Sequence, residues 1–242
     1  MKYKNIVEAV FIERPNRFIA FCDFNGEIVK CHVKNTGRCR ELLVENTKVF
    51  LQDHRNDENS SRKTNFSLIS LFKENCKTKR IFNIDSQIPN AAVFEGLNNK
   101  TINLFNEQKP FFYEIIQREK TFGNSRFDIY VESGGKKAYI EVKGVTLEEN
   151  GIFKFPDAPT QRGLKHVNEL IKAKQNGYFS FIIFVIQTTT LKNEYFTPNV
   201  ATDSEFAQAL KSAEKSGVKI LCYDCDVTLD EMKILKEVTV KL

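Results

Sequence analysis

The 242-residue chain is 41% hydrophobic and 28% charged, with 11 Gly and 6 Pro, which excludes collagenous, low-complexity and disulfide-miniprotein classes and leaves room for two compact units. Its net charge of +5 is uneven: residues 1–85 carry 16 Lys and Arg against 11 Asp and Glu, while the other 157 residues carry 20 of each. A basic front module suits a polyanionic partner, although solvated lysines give the same count.

The opening MKYKNIVEAVFIER has no leader-like apolar core, and the longest apolar stretch, Phe179 to Ile186, falls far short of the roughly 20 residues that cross a bilayer. A cytoplasmic protein without a membrane partner is expected, with its cysteines (Cys22, Cys31, Cys39, Cys76, Cys222, Cys225) reduced. Cys222 and Cys225 have zinc or redox spacing, yet they lack a second ligand pair and follow an apolar run that reads as a strand end. Two core thiols are the expectation.

Period-two segments fill the front of the chain: Ile6 to Ile12, Phe18 to Phe24, Glu27 to Val33, Lys48 to Gln52, Phe66 to Phe72 and Ile81 to Ile84. Asn25-Gly26 favours a type I′ hairpin between the second and third. About five strands over residues 1–85 point to a small barrel of the OB type, with an SH3-like barrel or a meander as alternatives. Helical turns interrupted by Gly96 and Asn98-Asn99 are expected over 86–107, and the domain boundary is placed at residue 86. Beyond it come a strand pair (Arg126 to Glu132, Lys136 to Val142), a helix (Thr160 to Asn176) and an apolar strand (Tyr178 to Gln187). A second helix, opened by a Thr202/Glu205 capping box, and the strand Val218 to Tyr223 complete an α/β layer over 86–242.

The strand pair carries the chemistry. If Gly134-Gly135 closes a two-residue hairpin, Asp128 faces Glu141, Tyr130 faces Tyr139 and Arg126 faces Lys143, and a four-residue loop gives the same register. Phe127, Ile129, Val131, Ala138, Ile140 and Val142 then fill the opposite, core face. Opposed carboxylates with Cβ atoms about 4.5–5.5 Å apart need a compensating cation. Mg²⁺ or Mn²⁺ suits two oxygen ligands, and Lys143, one pleat beyond Glu141, would position water or steady a phosphate oxygen. The metal-free alternative is a lattice of ion pairs among Arg126, Asp128, Glu141 and Lys143 on a solvated face, each worth about 0–1 kcal/mol.

On the helix from Thr160, Arg162 and His166 share a flank with Lys165 beside them, while Leu164, Val167, Leu170 and Ile171 mark the buried side. Asp157 and Thr160 are both candidate caps. Arg162 and His166 are expected near a substrate phosphate; the alternative packs His166 at the sheet edge and pairs Arg162 with Asp157. In the front module Arg17, Lys30, His32, Lys34, Arg38 and Arg40 interleave with Phe18, Phe21 and Phe24, a mixture for phosphate contact and base stacking in which some rings must be core.

Asp128 with Glu141-Val142-Lys143 resembles the PD-(D/E)XK nuclease pattern. The wider segments Ser125 to Asp128, Tyr139 to Leu147 and Phe155 to Leu170, with Arg17 to Ala20 and Cys31 to Arg38, resemble the sugar fermentation stimulation protein A (SfsA) family over nearly the whole chain. The resemblance implies a two-domain α+β protein: an N-terminal OB-like β-barrel, then a restriction-endonuclease-like α/β domain with a mixed central sheet flanked by helices. It implies DNA binding with little sequence preference, RNA being an open alternative, and a link to sugar (maltose) metabolism. A metal-dependent nuclease is implied through Asp128, Glu141 and Lys143, with Glu95 or Glu119 as a further acid. Arg17, His32, Asn35, Arg38, Arg126, Arg162, Lys165 and His166 are the expected nucleic-acid contacts. A non-catalytic DNA-binding regulator is the competing function, a carbohydrate-acting protein has no supporting acid spacing, and a homodimer follows from base rates alone.

Overall fold

The computed structural model describes residues 2–35, 37–57, 62–74, 79–106, 108 and 111–242; Cys76 lies outside them. Strands β1 (Ile6–Asn16), β2 (Ile19–Phe24), β3 (Glu27–Val33), β4 (Lys48–Asp53), β5 (Phe66–Glu74) and β6 (Lys79–Asn83) form one sheet in the order β3-β2-β1-β4-β5-β6. A parallel pairing of β3 with β5, from Cys31 opposite Phe66 to Val33 opposite Leu68, closes the first five strands into a barrel and excludes the open meander. The Asn25-Gly26 turn forms as expected, both residues at positive φ between the paired Phe24 and Glu27. Alternate residues such as Ala20, Cys22, Cys31, Val33, Val49 and Leu51 fill the barrel, while Phe18 stays 46% exposed.

The rest of the chain is built on a second six-stranded sheet. In chain order its elements are α1 (Ile88–Asn98), β7 (Ile115–Phe122), β8 (Ser125–Ser133), β9 (Lys136–Val145), β10 (Leu147–Glu149), β11 (Ile152–Phe155), α2 (Gln161–Gln175), β12 (Phe179–Ile186), β13 (Tyr195–Pro198), α3 (Ser204–Lys215), β14 (Lys219–Val227) and β15 (Met232–Glu237). The main sheet runs β15-β14-β12-β9-β8-β7, parallel at β9, β12 and β14 and antiparallel at both edges; β10, β11 and β13 make a small separate sheet. Helix α1 covers one face through Ala92, Val93 and Leu97, and α2 and α3 cover the other through Val167, Leu170, Phe206 and Leu210. Each of the Val, Leu and Phe side chains among these contributes about 1.5–3 kcal/mol on burial. No helix among the described residues is long and apolar enough to cross a membrane.

Several expectations are corrected. Helix covers only Ile88–Asn98 of the 86–107 segment, and Gly96 lies within it as a contact point: a Cβ there would sit 3.0 Å from Ile102 Cδ1. The cap of α3 is Asp203, which accepts from the Phe206 N–H, and not Thr202, whose hydroxyl accepts from Asn199. Thr160 caps α2 by accepting from Gly163 N–H, whereas Asp157 is engaged elsewhere. The β14 strand runs through Cys222 and Cys225, which fall in the cores on opposite faces of the sheet and cannot share a metal or a disulfide. The hairpin has no solvated chemical face, because Tyr130 and Tyr139 are packed under α2 just as Ile129 and Ile140 are packed under α1. Its mixed sheet is helix-covered on both sides, as parallel strands require.

Candidate active site

Gly134 and Gly135, both at positive φ, form the two-residue hairpin that the sequence called for, and the four-residue loop is excluded by the Ser133–Lys136 pair. The ladder holds register through Tyr130 opposite Tyr139 to Ile129 opposite Ile140 and stops there, one step before Asp128 and Glu141. The outer ladder is interrupted at the same level: Arg118 pairs with Ile129 and Lys120 with Phe127, while Glu119 between them takes φ +57°. Strand alternation fails across Asp128. Phe127, expected on the face of Ile129, instead joins the opposite cluster, its ring 5.5 Å from Tyr139 and 6.4 Å from the His166 ring.

This break unpairs Asp128 on both sides, while Glu141 stays opposite Ile182 of β12, and other elements reach both side chains. Asp128 Oδ1 accepts from Asn90 Nδ2 on α1 at 2.7 Å, and Oδ2 accepts from the Val142 backbone N–H at 2.8 Å. Glu141 Oε1 receives Lys143 Nζ at 2.6 Å and the Nδ1 of His166 from α2. Its second oxygen, Oε2, is buried without a partner. A buried, unsatisfied carboxylate oxygen is costly, and a bound cation is one group that relieves it.

The environments drive the two acids apart. Burial, reinforced by the charge of Glu141, raises the pKa of Asp128 to about 6 against the Val142 N–H, Lys143 and Asn90. Burial acts in the same direction on Glu141, but the His166 hydrogen bond and Lys143 outweigh it and hold its pKa below the usual carboxylate value. Among the described residues no three His, Cys, Asp or Glu side chains form a self-sufficient metal cage. Two carboxylates, one with an orphaned oxygen, fit Mg²⁺ or Mn²⁺, which keep several waters and use one or two protein carboxylates.

The other expected site residues divide. His166 reaches Glu141, but it is buried and faces the carboxylate, so it is not placed to meet a phosphate. Glu95 is turned toward β15, where its charge acts on Lys233; the α1 residue that reaches Asp128 is Asn90, one helical turn nearer the N-terminus. Glu119 pairs with Arg126 at 3.5 Å with both side chains 65% exposed, so Arg126 does not face Lys143. Lys165 Nζ is bonded to the Asn124 carbonyl. No ion pair joins Arg162 to Asp157 among the described residues.

A cleft of about 500 Å³ separates the barrel from the mixed sheet and contains Lys143 in its wall, with Arg17, Asn35, Gly144, Lys154, Asp157, Thr160 and Arg162. Gly144 lets Pro89 approach, since a Cβ would stand 2.9 Å from Pro89 Cγ. On the barrel side, Arg14 donates to the carbonyls of Arg17, Asn35, Gly37 and Arg38 and so shapes this loop. Asn35 is structural: it bonds the Ile84 carbonyl and the Gly37 N–H. The Arg38 N–H donates to Asp157 Oδ2 at 2.6 Å, fastening barrel to sheet domain, and its side chain remains exposed. His32 sits half-buried in the barrel wall between Ile19 and Ser67, where burial and the charges of Lys34 and Arg62 lower its pKa, and it does not line the cleft. Asn90, Lys154 and Gln187 were not singled out from sequence; Asn90 alone left a signal, a polar residue in the first turn of the helix after Pro89.

Comparison with known proteins agrees with this architecture. Residues 12–78 match the family model described as the SfsA N-terminal OB domain, and residues 87–231 match the sugar fermentation stimulation protein RE domain. The chain is 48% identical to a sugar fermentation stimulation protein homolog of Desulfitobacterium hafniense strain Y51 over 100% of its length and 99% of the relative. A homolog of the same name from Clostridium beijerinckii is 49% identical, with both chains covered completely. The solved structure of Pyrococcus furiosus SfsA in complex with Ca²⁺ superposes with a TM-score of 0.85 at 23% identity, covering 100% of this chain and 98% of that one.

Proposed function

We propose, from the premise that this chain belongs to the sugar fermentation stimulation protein family, that it is a DNA-binding protein of little sequence preference with a metal-dependent phosphodiester-hydrolysing site. The observation that carries the reading is an acid pair beside a lysine: half-buried Asp128 and buried Glu141, no longer paired across β8 and β9, Lys143 on one Glu141 oxygen, and the other oxygen unpartnered. Asp128 and Glu141 would hold Mg²⁺ or Mn²⁺. When bound, such an ion supplies charge neutralisation at the phosphate and a more acidic water. His166 fixes the Glu141 carboxylate from behind, Asn90 and the Val142 N–H fix Asp128, and Lys143, in the cleft wall, is placed to hold a phosphate oxygen or the attacking water. A Ca²⁺ complex named for the Pyrococcus relative is compatible with an oxygen-ligand site in this family.

A second reading has its own observation. Lys143 and His166 already satisfy Glu141 Oε1, so the cluster can stand as a structural ion-pair network in a non-catalytic DNA-binding regulator. Incubation of the protein and of Glu141→Ala with single- and double-stranded DNA and RNA, in Mg²⁺, Mn²⁺ or chelator, separates the two. Metal-dependent cleavage lost in the variant supports hydrolysis. Background cleavage under every condition leaves the regulator.

A further inference from the structure

We propose that the cleft between the barrel and the mixed sheet seats one unpaired nucleic-acid strand, with Arg17 and Arg162 holding its phosphates from opposite walls. The inference rests on the reading of the chain as nucleic-acid-binding and adds the place and the strandedness. Arg17 comes from the barrel and Arg162 from the start of α2; both are exposed, and neither has an ion-pair partner among the described residues. Lys143 and Lys154 line the same cleft, paired with Glu141 and Glu149. The one acid in the lining, Asp157, is occupied by the Arg38 N–H. Arg17 and Arg162 against Asp157 leave a surplus of one positive charge, with Arg17 reaching the cleft from the barrel and Arg162 from the domain whose Lys143 bonds Glu141.

Size and stacking select the single strand. A cleft of about 500 Å³ has the volume of a drug-sized ligand site, which matches one or two nucleotides. A second hollow of about 470 Å³ shares Arg17 and Gly37 with the first; Arg14, Arg38 and Arg40 outnumber Glu13 and Glu45 in its lining, so the cationic surplus continues along the barrel. The Arg17 guanidinium lies 4.8 Å over the ring of its chain neighbour Phe18, which is 46% exposed and lies outside the lining of both hollows. Cations tracking a backbone beside an open aromatic face are how single strands are held without base readout.

The test is fluorescence anisotropy in chelator, with a labelled short oligothymidylate, an oligouridylate and a DNA duplex of equal length, across a salt series. The expected result is that a single strand binds about tenfold tighter than the duplex, and that Arg17→Ala and Arg162→Ala each weaken it about five- to tenfold and flatten the salt slope by about one unit. Whichever oligonucleotide binds tighter identifies the preferred strand, and either supports the proposal. Lys211→Ala, an exposed change on α3, should leave binding at the wild-type level. Unchanged melting temperatures establish that the arginine variants are folded. Duplex binding equal to or tighter than both strands, or wild-type affinity in both arginine variants, overturns the proposal. Absence of cleavage in the wild type would remove the hydrolytic reading and leave this one standing, whereas cleavage with arginine-insensitive binding would do the reverse.

Discussion

Asp128→Asn should stabilise the metal-free protein above neutral pH, the opposite of what removing a buried charged partner usually does. The folded pKa of about 6 stands above the ordinary value of 3.8, so the native state binds the proton more tightly than the unfolded chain. The associated stability is fully present below the unfolded pKa and is lost as pH rises through the folded one. At about 1.4 kcal/mol per pKa unit the whole excursion is about 3 kcal/mol, complete by pH 8 and about half complete at pH 5. Asparagine is neutral throughout and keeps the local bonds: its carbonyl accepts from Val142 N–H, and its amide donates to Asn90 once that side chain flips. Urea denaturation in chelator should therefore show the variant gaining on the wild type by about 1–2 kcal/mol between pH 5 and pH 8. Adding Mg²⁺ should reverse the order at pH 8, because only the wild type keeps both charged ligands. An unchanged difference between the two proteins across that pH range would refute the claim that Asp128 carries a buried charge.

Glu141→Gln should cost about 2–3 kcal/mol in chelator, since Lys143 and His166 lose a charged acceptor, and should abolish any Mg²⁺-dependent rise in melting temperature. Gly144→Ala places a methyl against Pro89 and Gln187, and urea unfolding should register a loss of about 1–3 kcal/mol. Gly37→Ala puts a Cβ 2.5 Å from Asp157 Oδ2; combining it with Asp157→Ala should cost less than the sum of the two singles, measured by thermal denaturation. Cys22, Cys31, Cys39, Cys222 and Cys225 are buried, and burial pushes the Cys39 thiol up to about 12, so none of the five should react with a disulfide reagent until the protein is unfolded.

The hairpin register was readable because a Gly134-Gly135 turn fixes which residues face each other, and one turn determines every pair up to Ile129 and Ile140. What it could not determine is where pairing stops. The break at Asp128 depends on α1 delivering Asn90 and α2 delivering His166, contacts 38 and 25 residues away in the chain. Periodicity reports only which side of a strand a residue occupies, so it placed Phe127 with Ile129; Glu95 and Glu119 came from the family resemblance, which seeks an acid and so passes over Asn90. The same blindness explains the supposed solvated face: alternation of Tyr130 and Glu132 with Ile129 and Val131 looks half-exposed, yet two tyrosines under a helix are as buried as the isoleucines. Thr202 lost the capping role to its neighbour Asp203 because Asp203 also receives the Thr160 N–H, joining the starts of α2 and α3 in one carboxylate.

Charge counting links the acid pair to the cleft. Counted without the His166 ring that bonds Glu141, the carboxylates of half-buried Asp128 and buried Glu141 and the Lys143 ammonium sum to one negative charge. Protonating Asp128 neutralises that sum, which is the direction its pKa takes in the absence of metal. A divalent cation would instead leave one positive charge, and a phosphodiester, carrying one negative charge, would bring the assembly to zero. Neither partner alone reaches balance, so the two should bind cooperatively: Mg²⁺ should tighten binding of a non-cleavable strand at Asp128 and Glu141, and the strand should tighten Mg²⁺ by the same factor. Calorimetric titration of the metal with and without a phosphorothioate oligonucleotide measures that factor. A value of one would place the strand outside the field of the two acids and separate the cleft from the carboxylates.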